Sequence, residues 1–432
     1  MVKTSPDISA STEEQVMAAK SSSRATEKRI VLGAAVVALL VKSIIAWHSF
    51  GTNDVVTFYL FSKVLIEHGL GWTYQNVILF NHPPLTAYFL ELLQYLQRIP
   101  ILQANGISFP FLLRLPGVLA DFIAVLVLLR FKSQDARLYL PTWALVLFAL
   151  NPLSIMVSGF HGNTDSIMVM FLVVSVYFAS RERPLLCGLF LALSTQVKIA
   201  PLLFAPVLFF YWWQRGSALR FSIPFTLTSL LLWSEPLLFF PRLFLHNVVS
   251  YSSYWGIWGF SYLLRMTGRQ EFSRVSFFGL AHSQDAVMQI CKIIIVAIVL
   301  TVAWRRRKTD SAGLRDSLAY AWLAFFIFAP GVCVQYLIWC APFFLFLSPG
   351  FYACVMISSS IFAFAFYNAI ADRFPWYHAI STTRLVDIWA AWSLLPWGVF
   401  IAGGIYFCRP MLRRLFSLRI PSTPHEVAQV EA

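Results

Sequence analysis

Residues 30–47 read IVLGAAVVALLVKSIIAW, and this stretch decides the class of fold. It contains a single charged side chain, Lys42, which is typical of a helix that crosses a bilayer. Similar apolar stretches recur as far as residue 408, and the mean hydropathy is +0.68. Only 12% of the 432 residues are charged, whereas soluble domains carry about 25%. The sequence therefore excludes an ordinary soluble enzyme and predicts an all-α integral membrane protein.

Twelve apolar stretches predict a bundle of about 12 transmembrane helices. They occupy residues 30–47, 115–129, 139–157, 166–179, 184–197, 201–213, 222–240, 287–304, 317–329, 336–347, 351–371 and 388–407. Several fall short of the about 17 residues that a span needs, so a tilted or interfacial helix can be among them. We expect residues 1–29 to be a disordered cytoplasmic tail, residues 30–408 the membrane domain and residues 409–432 a second cytoplasmic tail.

The basic residues orient the chain. With the N-terminal tail inside, every cluster of Lys and Arg falls on the cytoplasmic face, as the positive-inside rule requires. The net charge of +13 therefore indicates membrane orientation and not nucleic-acid binding. The opposite face receives most of the remaining His, Asp and Trp residues, in segments 48–114, 158–165, 241–286, 330–335 and 372–387. We expect the chemistry on this non-cytoplasmic face.

The first outer loop, residues 48–114, is too long to be a simple connection. Its stretches 55–67 and 85–97 are amphipathic, which predicts two helices lying along the membrane surface. The alternative is that residues 85–96 cross the bilayer. That arrangement would place the basic residues 305–308 outside, against the charge rule.

Asp54 and His82 are the candidates in this loop. A carboxylate just outside the hydrocarbon suits a general base that takes a proton from a hydroxyl, so Asp54 is the candidate catalytic residue. Asn53 or Asp54 could instead cap the following helix. His82 lies in NHPPLTAY (81–88), where the prolines would hold it rigidly near a substrate. Alternatively, His82 is an ordinary residue of the membrane interface.

The turn at the end of the 139–157 stretch is the richest in polar side chains. His161, Asn163 and Asp165 lie within FHGNTDS (160–166), next to glycines that allow close approach of a ligand. Asp165 or Ser166 could cap the next helix, but the turn holds more polar groups than a cap needs. We interpret these three residues as substrate-binding.

Lys198, Gln335 and Arg373 complete the set of candidates. No acidic residue lies close to Lys198 in sequence, so its ammonium suits the phosphate of a lipid, unless it simply snorkels to the interface. Gln335, before a late span, and Arg373, in an aromatic outer segment, offer further donors to a substrate. Each could alternatively belong to an interfacial aromatic belt.

The usual nucleotide and hydrolase motifs are absent from the sequence. It contains no GxGxxG, GxxxxGK[ST], HExxH or GxSxG, and its six cysteines show no metal-type spacing. The residues thus require no cofactor, and a divalent metal is left open. Because the chain has no room for a cytosolic nucleotide-binding domain, a transferase of this kind would take its sugar from a lipid carrier.

Six features occur in one order along residues 30–400. They are Asp54 after the first span, Pro-Pro-Leu-Thr-Ala-Tyr (83–88), Arg-Leu-Pro (114–116), the segment 151–166, Lys-Ile-Ala-Pro (198–201) and Gln-Tyr (335–336). Together they resemble the GT-C superfamily of polytopic glycosyltransferases. Residues 151–166 and 198–201 are similar to the catalytic subunit of the first GPI mannosyltransferase, and residues 81–88 to dolichyl-phosphate-glucose glucosyltransferases.

This resemblance implies a GT-C-like bundle and inverting transfer of a hexose, with mannose favoured, from a polyprenyl-phosphate donor to a lipid- or glycan-linked acceptor. Asp54 would be the base, Lys198 and Arg373 would stabilise the leaving phosphate, and His161, Asn163 and Asp165 would orient hydroxyls. The Asp-x-Asp of the GPI enzymes is here Thr52-Asn53-Asp54, which puts metal dependence in doubt.

Two other classes of function remain open. A secondary transporter would place its ionisable groups near the bilayer midplane. A non-catalytic lipid-binding subunit would need no carboxylate in the groove. The absence of any Asn-x-Ser/Thr sequence favours a bacterial inner membrane, with the endoplasmic reticulum membrane as the alternative.

Overall fold

The computed structural model describes residues 8–135, 138–249, 253–276, 280–371, 374–379 and 386–417, with side chains between residues 22 and 409. Its bundle helices follow the predicted apolar stretches. In chain order they are Ile8–His48, Phe109–Gln134, Thr142–Ala149, Pro152–Ser154, the π-helix Ile155–His161, Asp165–Ser180, Pro184–Val197, Ala200–Phe204, Ala205–Trp213, Ala218–Leu232, His282–Arg305, Ser311–Phe328, Val334–Ile338, Ala341–Leu347, Pro349–Ile370 and Leu394–Ser417.

Six helices in the described residues are long and apolar enough to cross a bilayer: Ser22–His48, Phe109–Gln134, Thr142–His161, His282–Arg305, Pro349–Ile370 and Val386–Arg409. Five shorter apolar helices are Asp165–Ser180, Pro184–Val197, Ala200–Trp213, Ala218–Leu232 and Val334–Leu347. The protein is therefore an all-α, multi-pass membrane protein. The count of twelve spans and the GT-C-like arrangement remain predictions.

Some helix bounds differ from the predicted ones. The first helix begins at Ile8, inside the segment expected to be a disordered tail, because residues 12–29 contain good helix formers such as Ala, Glu and Lys. The predicted span 222–240 is divided, because the helix Ala218–Leu232 ends at Leu232 and a short helix, Ser234–Phe239, follows after Trp233. The division into two tails and one membrane domain remains a prediction.

The outer loop folds into helices with a hydrophobic core of their own. Asn53–Asn76, kinked at Gly69, and Pro84–Gln97 are the two helices predicted there. At 14 residues, Pro84–Gln97 is about 21 Å long, which is too short to span the bilayer and disfavours the alternative in which residues 85–96 cross it. The other helices of the outer region are Pro100–Ala104, Ser234–Phe239, Pro241–Phe244, Leu245–Val249 and Gly259–Met266, whereas Val386–Trp389 and Ala390–Ser393 belong to the candidate span Val386–Arg409.

A short parallel bridge ties the first outer loop to the segment before the last span. Strand Gly51–Thr52 pairs with His378–Ala379, and the backbone N–H groups of Phe50 and Gly51 both donate to the Tyr377 carbonyl. The bridge fixes the backbone just ahead of Asp54.

A buried ion pair joins the first two spans to the third. Lys42 Nζ lies 2.6 Å from an Asp121 carboxylate oxygen and 2.7 Å from Ser154 Oγ, and Ser154 donates to the same carboxylate. Because each charged or polar group has a partner, the cost of burying them is offset. Ser154 immediately precedes the π-helix that ends at His161, so the pair also anchors that helix.

Candidate functional site

Asp54 lies in the first turn of the outer helix Asn53–Asn76. The hydroxyl of Thr52 caps this helix by accepting from the backbone N–H of Asp54, and it donates to the carbonyl of His161 at 2.8 Å. The interpretation of Asn53 or Asp54 as the cap is therefore wrong. The Asp54 carboxylate is left for other contacts.

The carboxylate of Asp54 faces two side chains of the 160–166 turn. Its Oδ2 lies 3.0 Å from His161 Nε2 and accepts from Asn163 Nδ2 at 2.8 Å. The other ring nitrogen of His161, Nδ1, lies 2.9 Å from the hydroxyl of Tyr367. No hydrogen bond from the described residues engages Asp54 Oδ1, and the side chain is 30% exposed. One carboxylate oxygen is thus held while the other is available.

The surroundings keep Asp54 ionised. Burial raises the pKa of this carboxyl group, but the charge and hydrogen bond of His161, the hydrogen bond of Asn163 and the charge of Lys198 together outweigh it. The pKa of Asp54 is therefore lower than the ordinary value of 3.8. At neutral pH Asp54 is a carboxylate that can accept a proton.

Arg114 holds the two chain segments that carry Asp54 and His161. Its guanidinium, 1% exposed, donates to the carbonyls of Ala46 and Ser49, where the first span ends, and of Gly159 and Phe160, where the π-helix ends. Further bonds go to the Ser49 hydroxyl and the Pro110 carbonyl. Helix ends leave carbonyls without intrahelical partners, so Arg114 caps two helices at once.

The turn after the π-helix requires glycine. Gly162 has φ +83°, and a Cβ atom there would clash with Val55 Cγ2. A side chain would thus push the 160–166 turn away from the helix of Asp54. The π-helix itself extends to His161, so the first two residues of the 160–166 segment are still helical and the turn begins at Gly162.

Asp165 and Lys198 form a second cluster. Asp165 is fully buried, lies 2.9 Å from Lys198 Nζ and accepts from the indole N–H of Trp339. No acidic residue lies close to Lys198 in sequence, but the packing of two helices brings it a partner 33 residues away. Tyr336 and Trp339 place their rings 5.0 and 5.7 Å from the same ammonium.

We expect Lys198→Met to destabilise the protein strongly, because it leaves the carboxylate of Asp165 buried without its cation. Breaking a buried pair on one side costs about 3–5 kcal/mol. The double variant Lys198→Met with Asp165→Asn should recover most of that stability. Thermal unfolding of both variants in detergent measures the difference, and equal losses in the two would contradict the pairing.

A cavity of about 590 Å³ opens beside both clusters. Its polar lining includes Asp54, His82, Asn163, Lys198 and Gln335, five of the residues predicted to bind or transform a substrate. Its apolar lining comes largely from the spans, among them Leu202, Leu203, Pro206, Phe325, Ile295, Val296, Val299 and Leu300. The cavity therefore joins a polar group of side chains to an apolar wall.

Two of the predicted residues that the structure describes, His161 and Asp165, do not line this cavity. His161 and Asp165, 4% and 0% exposed, lie behind Asp54 and Lys198 and pair with them, and their contact with hydroxyls of a substrate stays a prediction. Arg373 lies outside the described residues. The described residues contain no group of three His, Cys, Asp or Glu side chains suited to a metal ion.

His82 stays neutral at the cavity wall. Its ring packs against Phe58, Phe61 and Phe80, and the Tyr74 hydroxyl donates to its carbonyl. Burial, followed by the charge of Lys198, lowers the pKa of His82 from 6.5 to about 3. A neutral imidazole both donates and accepts hydrogen bonds, which suits a sugar hydroxyl.

We expect the unfolding temperature to fall as the pH is lowered from about 6.5 to 5, and His82→Gln to reduce this dependence. The pKa of His82 in the folded state, about 3, lies below the unfolded value of 6.5, so the unfolded chain takes up the proton first and acid favours unfolding. Thermal unfolding across this pH range measures the effect. His68→Gln, at an exposed histidine of the same outer region, is the control and should leave the slope unchanged.

Three side chains at the site, Tyr367, Arg114 and Lys292, were not assigned a role from the sequence. Tyr367 gave no local signal, because its partner His161 is 206 residues away. Arg114 and Lys292 did give a local signal, because each is a charged residue inside an apolar stretch. Lys292 also lines the cavity.

The sequence model of the family described as GPI transamidase subunit PIG-U matches residues 62–329, more than half of the chain. The chain belongs to the PIG-U family. This family is one of endoplasmic reticulum membrane proteins, so membership agrees with the endoplasmic reticulum alternative and not with the favoured bacterial inner membrane. A missing Asn-x-Ser/Thr sequence only removes glycosylation sites, and it carries no address for a compartment.

The matched region of the PIG-U family includes His82, His161, Asn163, Asp165 and Lys198, whereas Asp54 and Gln335 lie outside it. A shorter stretch of 88 residues is 31% identical to GPI mannosyltransferase 1 of Kluyveromyces lactis. That match covers 20% of this chain and 22% of the yeast protein, so the chain spans about a fifth of the relative's length. Both matches agree with a membrane protein of the GPI pathway, but the family is named for a transamidase subunit and not for a mannosyltransferase.

Proposed function

We propose that the protein transfers a hexose, with mannose as the first candidate, from a polyprenyl-phosphate donor to a glycolipid acceptor of the GPI pathway. Transfer takes place on the non-cytoplasmic face of the membrane and inverts the anomeric carbon. The observation that carries the proposal is the Asp54 carboxylate, which is ionised, held through one oxygen and open to a cavity through its side chain.

Each part of the site has a role in this reaction. The acceptor hydroxyl gives its proton to Asp54 as its oxygen forms a bond to the anomeric carbon. The bond from that carbon to the phosphate oxygen breaks at the same time, and the polyprenyl phosphate leaves. His82, Asn163 and Gln335 supply donors and acceptors for sugar hydroxyls from the cavity wall, and Lys198 supports the leaving phosphate electrostatically.

His161 and Tyr367 act through Asp54. Because Asp54 Oδ2 accepts from His161 Nε2, the other ring nitrogen accepts from the Tyr367 hydroxyl when the imidazole is neutral. The pair therefore fixes the orientation of the carboxylate, which leaves Oδ1 as the oxygen that takes the proton. This is a positioning role.

The test is a transfer assay with the full-length protein purified in detergent. Radiolabelled polyprenyl-phosphate mannose is incubated with the protein and an extract of membrane glycolipids, and the lipids are then separated. The proposal expects label in a glycolipid. Label that stays in the donor with every extract, including one from cells enriched in GPI precursors, would overturn it.

A second candidate function is favoured by the family match: binding of a GPI-type glycolipid without catalysis, as a subunit of a GPI transamidase. The same cavity would hold the glycan at its polar side chains and the lipid along its apolar wall. Copurification of the tagged protein with a transamidase complex, together with unaltered complex activity in Asp54→Asn, would favour this candidate over transfer.

A further inference from the structure

The cavity continues from its polar side chains into a groove between two segments of the membrane domain. One wall belongs to the apolar segment Ala200–Trp213 and consists of Leu202, Leu203 and Pro206. The facing wall belongs to the span His282–Arg305, whose lining residues are Met288, Lys292, Ile295, Val296, Val299 and Leu300. Because they recur at intervals of three and four, these residues share one face of the helix. Beyond Lys292 this face is entirely apolar.

The polar end of the cavity lies beside His282, where this span begins. The helix Ser311–Phe328 follows the span after a short turn and packs against it, so it runs back and ends beside His282. Pro330, two residues after that helix, lines the cavity together with Lys198. The apolar wall therefore leads away from the polar side chains, toward Arg305.

The groove opens sideways to the surface of the protein. Leu202, Val296 and Leu300 line the cavity, and their side chains are also 37%, 46% and 46% exposed. These residues belong to apolar helices of the membrane domain, so the surface that they share faces the hydrocarbon of the bilayer. A lipid can therefore enter the groove from the side while its chain stays in the membrane.

The groove ends near the last turn of the span. There the rings of Phe210 and Trp304 lie 5.4 Å apart, edge to face, and join the two walls. Leu300 lies about one helical turn before Trp304, so the groove reaches almost to this contact. The aromatic pair closes the end that is far from the polar side chains.

The groove extends past the middle of the bilayer. Met288 and Leu300 lie on opposite sides of the midpoint of the 24-residue helix, and Leu300 is about 27 Å from His282 along its axis. The hydrocarbon core of a bilayer is about 30 Å thick, so one leaflet occupies about 15 Å of it. An ordinary acyl chain fills a single leaflet. A chain that starts at the polar end and reaches Leu300 is longer than that.

We propose that this groove binds the hydrocarbon chain of a polyprenyl-phosphate lipid and selects chains that are longer than one leaflet. The identity of the head group rests on the proposed function, in which Lys198 supports the phosphate. The selection of chain length rests on the groove itself. Lys198 lies four residues before Leu202, so a chain attached to a phosphate at Lys198 meets the wall of the groove directly. The acyl chains of a glycolipid would fill only the first part of the groove.

The test compares long and short lipids that carry the same head group, and it does not depend on turnover. The full-length protein in detergent is equilibrated with a long-chain polyprenyl phosphate, with farnesyl phosphate or with phosphatidylinositol, and bound lipid is quantified by native mass spectrometry. The variant Leu300→Trp fills the far end of the groove. Its control is Ile293→Trp, which adds the same ring to the same helix at an exposed position that does not line the cavity.

We expect Leu300→Trp to weaken binding of the long-chain polyprenyl phosphate by about tenfold, because volume added to a site that the ligand fills costs about that much. Binding of farnesyl phosphate, whose chain is shorter than one leaflet, should be unchanged, which also shows that the variant is folded. Ile293→Trp should bind both lipids as the original protein does.

Three results would overturn the proposal. The first is equal affinity of the original protein for the long-chain polyprenyl phosphate and for farnesyl phosphate. The second is a Leu300→Trp variant that binds the long chain normally or loses both chain lengths equally. The third is a preference for phosphatidylinositol that Leu300→Trp abolishes, which would assign the groove to acyl chains.

The selection of chain length and the transfer of a hexose can fail separately. Leu300-dependent preference for the long chain, in a protein that transfers no hexose, would overturn the proposed function and support the groove. Hexose transfer at equal rates from donors of both chain lengths, without a preference in binding, would support the proposed function and overturn the selection.

Discussion

Asp54→Asn should reduce hexose transfer by about 10²- to 10⁴-fold, the range typical of losing a general base. The amide keeps the size of the side chain and one carbonyl oxygen that accepts from His161 or Asn163. It does not accept the proton of the attacking hydroxyl. The expected loss therefore lies in kcat, with little change in KM for the donor, and initial rates with labelled donor measure both.

A carboxylate on the same helix provides the control for this variant. Glu67 is exposed and does not line the cavity, so Glu67→Gln removes one negative charge from the outer helix without touching the site. It should retain the original rate. Near-normal transfer by Asp54→Asn, with Glu67→Gln also normal, would show that Asp54 is not the base.

Arg114→Gln should lower the free energy of unfolding by about 3 kcal/mol or more. The guanidinium donates to five carbonyls and one hydroxyl, and each buried acceptor left without a donor costs about 1–3 kcal/mol. The glutamine amide reaches only part of this set. Unfolding in mixed micelles with increasing denaturing detergent measures the loss.

Further variants test whether the hydrogen bonds of the Arg114 guanidinium or its positive charge stabilise the protein. Arg114→Lys keeps the positive charge but carries three donors on one atom, so it should restore only part of the stability. Arg98→Gln removes an exposed arginine of the outer loop and should have almost no effect. If Arg114→Lys were as stable as the original protein, the charge alone and not the set of hydrogen bonds would account for the role of Arg114.

The positions of the helices could be predicted because apolar composition and length are local properties of the chain. The outer helices could be predicted for the same reason, since residues 55–67 and 85–97 are amphipathic. The predicted ends of the helices were wrong where a local interaction interrupts an apolar stretch. At Asn151, for example, the side chain accepts a hydrogen bond from the N–H of Leu153 between two helices. The number of spans is not a local property, because composition alone does not show whether a short apolar helix crosses the bilayer.

The candidate site could be predicted only in part. Asp54, His82, Asn163, Lys198 and Gln335 were assigned to one membrane face from the distribution of charges, and they line one cavity. The partners of these residues could not be found in this way. Asp165 reaches Lys198, and Tyr367 reaches His161, only through the packing of helices that are distant along the chain.

The bridge between residues 51–52 and 378–379 bears on how the protein is made. A chain still being synthesised on the ribosome already contains Asp54 and His161 while Tyr367 and the second strand are absent. The first helices can enter the bilayer at that stage, yet the carboxylate has neither its backbone support nor the full set of contacts around the imidazole. The candidate site is therefore completed only after Tyr367 and residues 378–379 have been synthesised, more than 200 residues after His161.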